Sequence, residues 1–500
     1  MSGVIQIRNV VFSNKQLYQL LFLYIGAVLV IYKLPNFLSK VYFAALLFIM
    51  YRSKMNAMWS AFVFLLVDAP GGLFPNGDLN YGLPMLTFPG LISFQEIFIY
   101  LLIIKALTKS NKWPQLIYQK PYQLLFFYFI FLLAFSIVIG VSPIALFKAI
   151  KWFIPYSLLL TVPILLISKE EWTIFFKIIF IFLFFVLASQ IAQLVLGHPP
   201  SLLLGSNFQP LNEGGDFSFN YRILDPSSYE EKAARPISSS GIVLSCFAGA
   251  MFFLKDQQSY FKKNYLFLIL FLSAFSILLT ATRGWILSFS LALALFFLFV
   301  TNNSKSIIRV LFPLLVLYIL VSTIPVLRSQ LQGVQNRVST VEAIAKGDIT
   351  AEGTNDRGDY TVELLKVWKD SPIFGWGFSN TFRENMNSHA GQANLLMNVG
   401  IVGILIFIYF WYKLGITPIV INGKLSAKNP YKKALLSFSI MFLVYFFLHS
   451  TSGQQFQYLI GVYGISLAQI FFYCFSDFFM KDALIKEKQI KEQAVEKRNH

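Results

Sequence analysis

The sequence predicts an all-α integral membrane protein, a polytopic helical bundle of about 12–14 transmembrane helices. Three observations point there. Hydrophobic residues make up 56% of the 500 and charged residues only 13%, with a mean hydropathy of +0.62. A water-soluble domain carries about 25% charged residues, so this chain could not cover its surface in water. The apolar residues also arrive in runs that approach or reach the roughly 20 residues a helix needs to cross hydrocarbon. Finally, lysines collect in the short breaks between alternate runs, as they do on the cytoplasmic side of membrane proteins.

Taken in order, the clearest runs cover 17–32, 92–107, 122–141, 152–167, 172–196, 237–254, 265–281, 285–300, 307–324, 395–411, 434–448 and 458–475. Shorter ones cover 41–50 and 58–67, and each is bounded by polar, proline or glycine residues. The chain therefore divides into N-terminal transmembrane helices (1–197), an outer loop (198–236) and central transmembrane helices (237–325). A large outer loop (326–391), C-terminal transmembrane helices (392–475) and a basic tail (476–500) follow.

Orientation follows from the basic residues. Arg52 and Lys54 share one break, as do Lys105, Lys109, Lys112 and Lys120. Lys255, Lys262 and Lys263 fill a third; Lys413, Lys424, Lys428, Lys432 and Lys433 fill a fourth. With the runs counted as above, these breaks and the tail fall on one side, so both termini are expected in the cytoplasm. Lys33, Lys40, Lys148 and Lys151 fall on the other side and run against the rule. The net charge of +17 thus reads as topology and contact with anionic membrane lipids, not as nucleic-acid binding.

Several classes of activity find no support. There is no phosphate-binding P-loop, dinucleotide fingerprint or HExxH pattern, and four histidines are scattered along the chain. No metal or cofactor is expected. Cys246 and Cys474 both fall inside apolar runs and read as small core residues. The start is polar and the first apolar run lacks a small-residue cleavage site, so no cleavable signal peptide is expected.

The two outer loops are longer than connections usually are, and such loops tend to carry function. In the second, Leu331, Val334, Val338, Val341 and Ile344 recur at helical spacing. Tyr360, Leu364 and Trp368 form another stripe, with Asn355 and Asp356 as capping candidates. Packing alone would explain both. Less easily explained is the positive charge on the disfavoured side: Arg222, Arg235, Arg328, Arg337, Arg357, Arg383 and His389, with Arg283 at a run boundary. Guanidinium forks bind phosphate oxygens bidentately, which suits a lipid-linked pyrophosphate at the membrane surface. The alternative is pairing with loop carboxylates such as Asp216, Glu230 or Asp359.

Three local patterns resemble the O-antigen ligase and O-antigen polymerase superfamily of bacterial membrane glycosyltransferases. The first is Thr282-Arg283-Gly284 between two runs. The second is Arg357, then Tyr360 and Trp368, then Asp370-Ser371-Pro372-Ile373-Phe374-Gly375-Trp376-Gly377-Phe378, similar to the family's Asp-x-Pro-x-x-Gly-x-Gly stretch. The third is His389 followed by Asn398-Val399-Gly400-Ile401-Val402-Gly403. Here the sequence departs from the family pattern: the asparagine usual after the histidine is Ala390, and the usual acidic position is Asn398.

The resemblance implies a C-type glycosyltransferase-like bundle with its catalytic cavity on the outer (periplasmic) face of the bacterial inner membrane. The donor would be a glycan on undecaprenyl diphosphate. The acceptor would be another lipid-linked repeat unit for a polymerase, lipid A-core for a ligase, or protein for an oligosaccharyltransferase. On that reading Arg283 and Arg357, with Arg235 and Arg222, bind the pyrophosphate, and His389 is the general base. A chain-length regulator is a plausible partner. The competing class is a lipid-linked glycan transporter or flippase, which predicts internal repeats and broken helices. No repeat is evident, and intramembrane charge is sparse apart from Asp68.

Overall fold

A computed structural model describes residues 14–33, 36–67, 94–109, 120–153, 157–196, 236, 238–280, 283–300, 323, 328, 355–386, 391–444 and 463–499. Among these residues every regular element is helical. The first eight helices are α1 (Asn14–Lys33), α2 (Asn36–Arg52), α3 (Asn56–Val67), α4 (Phe94–Lys109), α5 (Lys120–Ile139), α6 (Pro143–Phe153), α7 (Leu158–Leu165) and α8 (Lys169–Leu196). Next come α9 (Ser240–Lys255), α10 (Lys263–Leu279), α11 (Arg283–Phe299), α12 (Asn355–Trp368), α13 (Asn380–Asn385) and α14 (Gly391–Trp411). A π-helical turn (Tyr412–Ile416), α15 (Thr417–Lys424), α16 (Lys432–Val444) and α17 (Tyr463–Asn499) complete the chain.

The apolar runs map onto these helices closely where they are described. Two runs are divided: in 152–167, α6 ends at Phe153 and α7 begins at Leu158, and in 395–411 the helix is interrupted at Gly400. Among the described residues one helix, Lys169–Val195, is by itself long and apolar enough to cross a membrane; other apolar helices, such as Lys263–Leu279 and Gly241–Lys255, are shorter. Run 307–324 (but for Thr323), the 331–344 stripe, Asp68 and most of the outer loop 198–236 lie outside the described residues.

At the centre sits α9, which packs against α8, α10, α16 and α17. All its residues from Gly241 to Leu254 are buried, which is why its sequence is apolar on every face. Gln190 and Ser276 satisfy each other inside the bundle. Ser276 Oγ donates to Gln190 Oε1 at 2.8 Å, and Gln190 Nε2 donates to the Ser276 carbonyl at 3.2 Å, tying α8 to α10. Lys105 differs from its sequence reading as a break residue. It lies inside α4, buried, and its amine donates to the carbonyls of Met50 at 2.8 Å and Ser53 at 2.5 Å. It thereby caps the C-terminal end of α2, where helix carbonyls lack partners and positive charge is favoured.

The lysine-rich end of the bundle is closed by α17. Tyr431 donates to Asp482 at 2.8 Å, and Asn429 Nδ2 donates to the Ala483 carbonyl at 2.9 Å. Glu487 accepts from Ser426 N and Oγ, each at 3.0 Å, and from Asn429 Nδ2 at 3.3 Å. Desolvation pushes the Glu487 carboxyl up, but these donors and the charge of Lys491 outweigh it and hold the group below its ordinary 4.5. A carboxyl with a depressed folded pKa stabilises the fold above its unfolded pKa, and that stability is lost as pH falls through the folded value. Glu487→Gln is therefore expected to lower stability at neutral pH by about 1–2 kcal/mol. The deficit should shrink as the pH drops below 4.5; a deficit equally large in acid, measured by thermal unfolding in detergent, would contradict this origin.

Candidate functional site

The Asp-x-Pro-x-x-Gly-x-Gly stretch and the Asn-x-Gly-x-x-Gly stretch meet in space. Helix α14 is broken at Gly400, whose φ of 62° and ψ of −172° are not helical. A break in a helix strips neighbouring carbonyls and N–H groups of their partners, and buried groups of this kind must find others. The loop 372–378 supplies them from its own backbone. Trp376 N donates to the Met397 carbonyl at 2.7 Å and Gly377 N to the Asn398 carbonyl at 2.8 Å. In return Ile401 N donates to the Pro372 carbonyl at 3.0 Å and Val402 N to the Ile373 carbonyl at 3.1 Å. The Val399 carbonyl accepts from the Tyr128 hydroxyl on α5.

The glycines follow from this geometry. Gly375 and Gly400 have φ of 70° and 62°, a region L side chains rarely adopt. A Cβ on Gly375 would lie 2.6 Å from both the Asn398 oxygen and the Gly400 nitrogen, so loop and helix could not approach.

Side chains complete the joint. Asn398 is buried, and its Nδ2 donates to the Gly377 carbonyl. A carboxylate at this position has no proton to give that carbonyl, so the departure from the family's acidic residue is matched by a local role for the amide. Asn398 Oδ1 has no protein hydrogen-bond partner among the described residues. Ser136 on α5 accepts from Phe378 N at 2.7 Å, and Asn380 N donates to the Gly140 carbonyl at 3.2 Å. Phe374 packs on Phe131, with ring centroids 4.9 Å apart, and Phe378 on Phe129 at 5.4 Å. Leu364, Phe382, Ala393 and Met397 form a small core under Val367, Trp368 and Trp376.

Sequence reasoning did not single out Tyr128 or Ser136. They lie 271 and 242 residues from their partners, and on an apolar helix a tyrosine and a serine carry no local signal.

The residues expected to do chemistry are placed only in part. Arg283 is the first residue of α11 and Arg357 the third of α12, which begins at Asn355. His389, Arg222 and Arg235 lie outside the described residues. Arg383, on α13, is exposed. Cys246 and Cys474 are free and buried. No group of three or more His, Cys, Asp or Glu that could hold a metal occurs among the described residues.

Arg283 begins α11 at the far end of α10 from Lys263. The arginine turn is therefore remote, along α10, from the lysine-rich end at Lys263. The break at Gly400 lies near the middle of α14 (Gly391–Trp411), which is followed by the π-helical turn and α15 before the Leu425–Tyr431 region held by α17. No curated protein matches the sequence. Residues 268–408, which contain both arginines, the 372–378 loop, His389 and the break at Gly400, match the family model described as O-antigen ligase.

Proposed function

We propose that this chain is a polytopic membrane glycosyltransferase that polymerises undecaprenyl-diphosphate-linked oligosaccharide repeat units into a surface polysaccharide. It would work at the outer face of the bacterial inner membrane, with both termini in the cytoplasm. The observation that carries the reading is the family match over 268–408, because it takes in Arg283, Arg357 and His389 together with both glycine motifs. The membrane setting is supported by faces that water would not favour. On α1, Tyr18, Phe22, Ile25 and Leu29 are exposed at helical spacing; on α5, Phe127, Ile130, Ile137 and Val138 are exposed.

In the reaction, an acceptor sugar hydroxyl attacks the anomeric carbon of the donor glycan. The new glycosidic C–O bond forms as the bond to pyrophosphate breaks, the hydroxyl proton passes to His389, and undecaprenyl diphosphate leaves. Arg283 and Arg357, with Arg235 and Arg222, stabilise the charge gathering on the pyrophosphate. His389 suits the base because imidazole titrates near neutrality. The sibling reading, transfer of finished glycan to lipid A-core by a ligase, uses the same donor and the same residues. The polymerase is preferred because Ala390 stands where the ligase pattern has asparagine.

A transporter reading gains little from the broken helix at Gly400. The loop 372–378 fills that break with protein hydrogen bonds, where a transporter would leave the freed groups for its cargo.

Polysaccharide profiling of a null strain complemented with wild type, Arg283→Ala or His389→Ala separates these readings, with membrane levels checked. Single capped repeat units in place of long chains are the polymerase result. Long glycan retained on undecaprenyl diphosphate is the ligase result. Wild-type profiles from both variants would overturn the assignment of these residues.

A further inference from the structure

Where the bundle turns from α9 into α10, α9 packs against α10 and α16, α11 packs against α10 and α16, and Gln257 N donates to the Pro430 carbonyl at 3.4 Å. Lys255 ends α9, Lys263 begins α10, Lys433 lies in the first turn of α16, and Phe296 lies in the last turn of α11. Lys255 is half-buried, whereas Lys263 and Lys433 are exposed. The Lys255 ammonium stands 5.5 Å from the centroid of the Phe296 ring, so its charge is held against the bundle instead of being released to solvent.

The nearby carboxylate is committed elsewhere. Asp256 pairs with Lys169 at 2.6 Å, with both side chains largely shielded, and Asp256 Oδ1 also accepts from Gln258 N at 2.9 Å. Lys432 turns its amine to the Leu425 carbonyl at 2.7 Å. What acts on Lys255 is burial first and then the like charges of Lys433 and Lys263, which together bring its pKa down to about 8. The N-terminus of α10 adds to the positive field, since its N-cap, Lys262, makes no side-chain capping bond. A half-buried amine repelled by two others, beside a helix N-terminus, is a conflict that an anion resolves.

We propose that Lys255, Lys263 and Lys433 form a binding site for a phosphate-bearing anion, with Lys255 and the Phe296 ring as its inner wall and the other two lysines at its mouth. The chemistry is that of a phosphate monoester or diester, whether on an anionic lipid headgroup or free. The site is separate from the arginine turn: α10 alone sets Lys263 and Arg283 about 25 Å apart along its axis. It shares with the proposed function only the membrane setting, and its readout does not involve glycan transfer, so the two stand or fall separately.

The test uses the full chain in nanodiscs of phosphatidylcholine alone or with phosphatidylglycerol, and, in a third arm, phosphatidylcholine with inorganic phosphate. Thermal unfolding is followed for wild type, Lys255→Gln, Lys263→Gln/Lys433→Gln, and the tail control Lys488→Gln/Lys491→Gln. Wild type is expected to gain several degrees with phosphatidylglycerol, and both site variants to lose most of that gain. Apparent affinity should fall about fivefold for each lysine removed. In pure phosphatidylcholine Lys255→Gln should unfold no earlier than wild type, because it removes a repelled charge.

A gain with phosphatidylglycerol alone identifies a lipid headgroup; an equal gain with inorganic phosphate identifies a soluble anion. Because Lys263 and Lys433 are exposed, the double variant reports on the site even if Lys255→Gln disturbs packing. A full wild-type response in the double variant, no response in wild type to either anion, or an equal loss in the tail control would overturn the proposal.

Discussion

Gly400→Ala is expected to destabilise the protein by about 4–6 kcal/mol, enough to lower the amount of folded protein in the membrane sharply. Alanine at a φ of 62° is unfavourable by about 1–2 kcal/mol on its own. The larger part comes from contact. A Cβ there would collide with Gly375 N and Ile373 O and lie 2.5 Å from the Phe374 carbonyl carbon. These are backbone atoms, so no rotamer change relieves the clash. The loop must lift away from α14, and the four backbone hydrogen bonds between 372–377 and 397–402 go with it. Buried groups left unpaired in this way cost about 1–3 kcal/mol each, and some re-pair with water or lipid headgroups. Gly423→Ala is the control: it lies on α15 with nothing within 4 Å of the added Cβ, and a change within about 1 kcal/mol is expected. Thermal unfolding in detergent, together with membrane abundance, measures both. A Gly400→Ala protein as stable as wild type would mean that loop and helix are not joined in this way.

Arg283→Ala is expected to slow turnover by about 10²–10³-fold while leaving membrane abundance unchanged, as removal of one oriented charge-stabilising donor does elsewhere. The reason for the small structural effect is position. Arg283 is the first residue of α11, a helix end and not a helix interior. Arg283→Lys should recover part of the rate, since lysine restores the charge but not the bidentate fork. His389→Ala should lose about 10²–10⁴-fold, the usual contribution of a general base, with a pH–rate profile that flattens on its acid limb. Arg283→Ala combined with Arg357→Ala gives the sharper reading. If both guanidinium groups hold one pyrophosphate, the double variant should fall well short of the product of the single losses. Losses that multiply independently would place the two arginines in separate tasks. The measurement is release of lipid diphosphate by purified protein from a defined donor.

The helices themselves were largely legible in the residues. Run 17–32 became Asn14–Lys33, run 265–281 became Lys263–Leu279, and the Tyr360, Leu364 and Trp368 stripe became part of Asn355–Trp368. Helix formation depends on neighbours three and four residues away, so a window of sequence carries most of what decides it. The candidate site was legible as motifs, and the family match over 268–408 follows them. Its joint was not legible. Asn398–Gly403 reads as the opening of an unbroken apolar run, yet Gly400 interrupts the helix there.

The difference is physical. Apolar pattern and glycine spacing announce which segments become helices and where the chain is free to bend. They say nothing of which distant backbone groups will meet. The Trp376, Gly377, Ile401 and Val402 hydrogen bonds use main-chain atoms that every residue possesses. Ser136 and Tyr128 gain their roles only because α5 packs along α14. Lys105 likewise reads as one more basic residue until α4 lies against the end of α2 and its amine finds two carbonyls. Local composition therefore settled the helices, while packing between segments far apart in the chain settled which backbone groups meet at the joint.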